Sequence, residues 1–190
     1  MKDKKIARNR SINAVIYRCF TYINREDKHR FVQKFQEQPH DQDQILHTFR
    51  ELILGSFLGY NHFQVKNEYR IGNKTPDWSV LNDDLSVSCI IELVNFHIDK
   101  DTEEYINTEL LDRGSAFYRT EKNEKRLYHS IQNKITIYNK IVESFNVPYV
   151  VAVFSDFKAN LDTSEFRSCL FGDEFGLFFT IPKYKWCFIL

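Results

Sequence analysis

No apolar run in this chain approaches the roughly 20 residues that cross a bilayer, and Met1-Lys2-Asp3-Lys4-Lys5 lacks the apolar segment of a secretory signal. The expectation is a cytoplasmic protein with no membrane association. Cysteine is scarce: Cys19, Cys89, Cys169 and Cys187 show no C-x-x-C spacing, and each has apolar or aromatic neighbours. That pattern suits buried, reduced thiols better than disulfides or a zinc site. The six histidines form neither H-x-x-x-H nor H-E-x-x-H. No glycine-rich phosphate loop, dinucleotide fingerprint or G-x-S-x-G elbow occurs, so the commonest nucleotide-binding and acyl-transfer chemistries have no foothold. Internal repeats and low-complexity segments are also missing.

Net charge is missing too, with 26 basic residues against 26 acidic, so the whole chain carries no nucleic-acid signature. The charge is nevertheless uneven. Residues 1–40 hold ten Lys/Arg and four acids, a basic helical arm on an acidic body spanning 41–190. Such an arm can touch phosphate, the body itself or only water.

What the chain has in quantity is core material: 43% hydrophobic residues, 17 Phe and 10 Tyr. Ile12, Val15, Ile16, Cys19, Phe20 and Ile23 recur at helical spacing. A second helix is expected over 27–37, ended by Gln38-Pro39-His40. A third, capped by Asp41 or Asp43, runs to about Gly59 and buries Ile45, Phe49, Leu52 and Ile53. The period then shortens. His62 to Ile71, Pro76 to Leu81 and Ser86 to Phe96 read as three strands joined by tight polar turns, a β-meander. One helix is expected near 101–112 and a long one over 121–145. Tyr149 to Phe154 follows as a strand buried on both faces, and the helical crossover before it implies parallel pairing. The tail is aromatic (Phe171, Phe175, Phe178, Phe179, Tyr184, Trp186, Phe188), with strand-like stretches at Leu177 to Ile181 and Trp186 to Leu190. It completes the core or offers a homodimer contact.

The residue that breaks pattern is Glu92, inside Cys89-Ile-Ile-Glu-Leu-Val94. A carboxylate in a central strand costs several kcal/mol unless it is paired, protonated or ligating a metal. Asp77 opens the neighbouring strand, so the two can converge and offer hard oxygen ligands to Mg²⁺ or Mn²⁺. The bland alternative makes Asp77 a turn residue and gives Glu92 a lysine or arginine partner. On the long helix, Lys134 falls within the stripe of Leu127, Ile131, Tyr138, Val142 and Phe145. It must snorkel or meet an acid there, and Glu92 is the natural partner. Arg113, Arg119, Lys122, Lys125 and Arg126, with interleaved aromatics, form either a backbone-contacting patch or a solvated face.

Together these residues resemble the PD-(D/E)XK nuclease superfamily. The resemblance rests on Lys74-Thr-Pro-Asp77, Ile90-Ile-Glu92 fifteen residues on, and Phe49-Arg-Glu51-Leu52. Lys134-Ile-Thr-Ile-Tyr138 and Val147-Pro-Tyr-Val-Val-Ala-Val153 are similar to uncharacterised bacterial members, and the match covers roughly residues 45–155. It implies an α/β fold with an αβββαβ restriction-endonuclease-like core and mixed sheet. It also implies a metal-dependent nuclease that cuts nucleic acid, DNA more than RNA. Asp77, Glu92 and the Leu93 carbonyl would hold Mg²⁺ or Mn²⁺, and Glu51 would be an accessory acid. The lysine of that family belongs two residues after the Glu, where this chain has Val94. Lys134 fits a lysine relocated to the following helix. If it is no replacement, the implied protein is an inactive nuclease-fold binding or interaction module.

Overall fold

The computed structural model describes residues 9–37, 41–97, 100–105, 108, 121–155 and 186–189. Three helices come first: α1 (Arg10–Phe20), α2 (Arg25–Glu37) and α3 (Gln42–Tyr60). Strands β1 (Gln64–Asn67), β2 (Trp78–Leu81) and β3 (Val87–Phe96) follow. Helices α4 (Lys100–Tyr105) and α5 (Glu121–Phe145) lead to β4 (Tyr149–Ser155), and β5 (Trp186–Ile189) lies last. The architecture is α/β, and the sheet order is β1-β2-β3-β4-β5. The expected meander is present, with β1, β2 and β3 pairing antiparallel (Val65 opposite Val80, Ser79 opposite Ile90). No helix among the described residues is long and apolar enough to cross a membrane.

Local chemistry sets the element ends. Asn9 caps α1 by accepting from Ser11 N and Ile12 N, and Asp41 caps α3 through Gln44 N. β1 is shorter than the 62–71 span expected from sequence, because His62 and Glu68 take positive φ (66° and 50°) and end the extended run. The β2–β3 turn closes through Asn82 N to Ser86 O, while Asp84 accepts from the Ser86 backbone.

The chain divides into two compact units, residues 1–92 with 141–150 and residues 93–140 with 151–190. In the first, α1 and α2, the segment read as a basic arm, pack on α3. Its core includes Ile16, Phe31, Leu52, Leu58, Trp78 and Ile90. Ile12 and Val15, placed in the apolar stripe of α1, are instead exposed at 43% and 41%. The helix turns Asn13, Ile16, Cys19 and Phe20 inward. Cys19 is a buried thiol whose pKa burial pushes up, and Cys89 is half-buried. The second unit buries Leu93, Phe96, Leu127, Ile131, Ile135, Tyr138 and Val151 to Val153. Along α5 the buried side includes Ile135, while Phe145 is exposed and Lys134 half-buried. The 113–120 part of the basic patch, Leu177 to Ile181 and most of the aromatic tail lie outside the described residues.

Trp78 organises the first unit. Its indole Nε1 donates to the Glu51 carbonyl at 2.9 Å, and its ring stacks on Phe31 with centroids 5.8 Å apart. It lies against α3 at Gly55, where an added Cβ would sit 1.9 Å from the indole. One turn on, a Cβ at Gly59 would sit 1.9 Å from the Tyr22 carbonyl oxygen, which is backbone and cannot rotate away. Gly59→Ala is therefore expected to destabilise the protein by about 3 kcal/mol, read as a lower urea midpoint. An unchanged midpoint would show that the turn after α1 yields.

Candidate functional site

Helix α3 presents Gln44, His47, Thr48 and Glu51 to one cavity of about 240 Å³, as their three- and four-residue spacing allows. Lys34 and Glu37 reach it from the end of α2, and Glu68 and Asp77 flank it from beyond β1 and before β2. Among the described residues, four carboxylates thus share one concavity with Lys34.

Glu51 lies at the bottom, only 2% exposed. Lys34 Nζ stands 3.0 and 3.1 Å from its two oxygens, and Asn67 Nδ2 donates to Oε1 at 2.6 Å. Burial raises the Glu51 pKa, against the pull of Lys34 and Asn67, and the negative charge of Asp77 adds to the rise. Burial by itself would lower Lys34, yet the carboxylates of Glu51 and Glu68 outweigh it and hold the ammonium above the ordinary lysine value. The same ammonium bonds Glu68 Oε1 at 2.7 Å and lies 5.2 Å from the centroid of the Phe31 ring.

Asp77 is held by its backbone on both sides. Its N–H donates to Glu92 Oε1 at 3.2 Å. Its carbonyl accepts from Asn67 Nδ2 at 2.7 Å and from Glu68 N at 3.2 Å. Asn67 is fully buried, and both of its Nδ2 neighbours are acceptors, so only the amide nitrogen can face them. Behind Asn67 stands Asp27, 0% exposed, whose carboxylate accepts from Asn67 N at 3.2 Å. Burial raises the pKa of Asp27 too, opposed by its hydrogen bonds and by the charges of Lys66 and Arg30. Arg30 lies 3.7 Å from Asp27 and 3.8 Å from Glu68, and donates to the Asn67 carbonyl.

Of the residues singled out in the sequence, Glu51 and Asp77 line the cavity together, and Glu92, 2% exposed, binds the Asp77 backbone. Leu93 and Lys134 belong to the second unit. By helical spacing Glu51 lies off the expected buried stripe of Ile45, Phe49 and Leu52. In the structure Ile45, Phe49 and Ile53 are only half-buried, and α3 buries Thr48, Glu51, Leu52 and Gly55 under α2 and Trp78. Lys34, Asn67 and Glu68 were not anticipated. A signal for Lys34 exists: Asp27, Phe31, Lys34 and Phe35 share one side of α2 at helical spacing, so a lysine stands beside the buried phenylalanines.

Among the described residues no three His, Cys, Asp or Glu are grouped to cage a metal ion. Of the carboxylates lining the cavity, Glu51 and Asp77 lie near enough for the charge of one to act on the other. Mg²⁺ suits that donor set, since it takes one or two carboxylates and completes its shell with water and phosphate.

The pair Lys34–Glu51 yields a stability prediction. Lys34→Met leaves a buried carboxylate with no cation and is expected to cost about 3 kcal/mol near neutral pH. A carboxyl whose folded pKa is raised stabilises the fold below its unfolded value and loses that contribution as pH rises through the folded value. Losing Lys34 raises Glu51 further, so the deficit should shrink as pH falls toward the ordinary glutamate range. Urea denaturation at neutral and mildly acidic pH reads it, and a deficit constant across that window would show that Lys34 does not compensate Glu51.

No family model matches this chain, and neither a curated protein nor a solved structure matches it.

Proposed function

We propose that the chain is a metal-dependent nuclease of restriction-endonuclease-like type that hydrolyses nucleic-acid phosphodiesters, DNA more than RNA. One observation carries this reading: the carboxylates of Glu51 and Asp77 line one cavity that also holds an ammonium, Lys34. Two acids on an open concavity are the donor set for Mg²⁺ or Mn²⁺, whose role there is to polarise a phosphate and activate a water. Glu51 and Asp77 hold the ion. Glu92 acts from behind, fixing the Asp77 backbone. The order of a helix, an antiparallel three-strand meander, a long helix and a further strand agrees with that fold.

Lys34 takes the part the family assigns to a lysine beside its acids, a positive charge facing the negative charge that develops on a scissile phosphate. Val94 stands at that family position, and Lys34 comes from a helix before the sheet rather than after it. A second reading, a nuclease-fold binding module without catalysis, is favoured by a different observation. Both Glu51 oxygens already accept from Lys34, and Oε1 accepts from Asn67 as well.

Cleavage of DNA and RNA in the presence of Mg²⁺ or Mn²⁺ separates the two. Cleavage should appear with metal, vanish with chelator, and fall in Asp77→Ala to the chelator level. Cleavage equal in wild type and Asp77→Ala would reject this site, and no cleavage of either nucleic acid favours the binding module.

A further inference from the structure

A carboxylate as buried as Glu51 needs a positive partner. Lys34 fills that place now, within 3.1 Å of both oxygens. Any second cation at Glu51 would meet that ammonium at contact range, where like charges repel. The lysine, however, already has another seat. It bonds Glu68 Oε1 at 2.7 Å, and the Glu68 side chain is 41% exposed, so the ammonium bridges one buried and one half-exposed carboxylate. Its flexible four-carbon stem can rotate the head away from Glu51 without breaking the Glu68 contact. Glu68 is well placed to receive it, because its backbone N–H is bonded to the Asp77 carbonyl and Arg30 approaches its other oxygen at 3.8 Å.

We infer that Lys34 is a resident counter-cation of this cavity, and that a divalent ion entering at Glu51 and Asp77 displaces its ammonium onto Glu68. The inference rests on the metal-site reading above. Metal affinity is then set by a competition inside the protein. Lys34 neutralises Glu51 while the cavity is without metal, and Glu68 takes up the lysine as the metal arrives. The three carboxylates have different duties: Glu51 and Asp77 face the ion, and Glu68 faces the displaced lysine.

Calorimetric titration of the full chain with Mn²⁺, with no nucleic acid present, tests this. Lys34→Met is expected to bind Mn²⁺ on the order of tenfold more tightly than wild type. Glu68→Gln is expected to bind several-fold more weakly than wild type, because the lysine then has no second seat. In the Lys34→Met background Glu68→Gln should change nothing. Equal affinities in wild type and Lys34→Met overturn the inference and leave the metal site standing. A weakening by Glu68→Gln that persists without Lys34 makes Glu68 a ligand and also overturns it. Absence of Mn²⁺ binding from wild type and every variant overturns the metal site and the inference together. Where Lys34→Met does not fold, Lys34→Gln takes its place. Glu68→Gln in the otherwise native chain still decides, since an unchanged affinity there overturns the displacement.

Discussion

The first unit is organised around one unfavourable act, the burial of the Glu51 carboxylate. Taking an ionised carboxylate out of water costs several kcal/mol, and the cost is recovered only where a cation and hydrogen-bond donors arrive with good geometry. Here the cation comes from α2 and the donor from the end of β1, while the indole of β2 binds the carbonyl of the same residue. Three elements distant in sequence therefore have to meet α3 at a single residue. Apolar packing of Phe31, Leu52 and Trp78 supplies most of the driving force, but packing is tolerant of small rotations. A hydrogen-bonded charge is less so, and Glu51 gives the helices a register that hydrophobic contact leaves loose.

Around this centre the charges are arranged in layers. Asp27 and Arg30 sit behind Asn67, Glu51 and Lys34 sit in front of it, and Glu68 spans the two through its contacts with both basic residues. Asn67 joins the layers because it is used on both its backbone and its side chain. Its N–H meets Asp27, its carbonyl meets Arg30, and its amide nitrogen meets Glu51 and Asp77. Even so, among its described lining residues the cavity holds more acid than base. Glu37, Glu51, Glu68 and Asp77 face it, and Lys34 is the lysine among its lining residues. Self-repulsion among those carboxylates works against the fold.

Much of the architecture was legible from periodicity. The change from helical to alternating spacing near residue 62 and the two tight turns foretold the meander, and β1–β2–β3 pair as a meander should. The long helix and the apolar strand at 149 were equally clear, because each pattern is sustained over many residues. Asp77 and Glu92 also stood out, since a carboxylate beside or within an apolar strand violates the pattern around it. Less legible was anything depending on which side of a helix becomes the inside. Glu51 lies off the stripe drawn by Ile45, Phe49 and Leu52, and only the indole of Trp78 against Gly55 reveals that α3 is covered there as well. Lys34 was hidden for a related reason. Within a basic segment one lysine looks like the next, and the partner that distinguishes it is 17 residues away.

Glu92 meets Asp77 through the backbone of that residue. Its side chain is 2% exposed within an apolar strand, which invites the thought of a metal. One oxygen accepts the Asp77 N–H, directly after Pro76, a residue that has no N–H of its own to offer. With its carbonyl bonded to Asn67 and Glu68, Asp77 has its backbone fixed from β3 on one side and from the end of β1 on the other. A carboxylate on so constrained a backbone loses little further freedom on meeting a ligand, and the cost of ordering it is met during folding. Glu92 thus bears on whatever enters the cavity through the placement of Asp77, and a binding site and a catalytic site would profit from that placement alike.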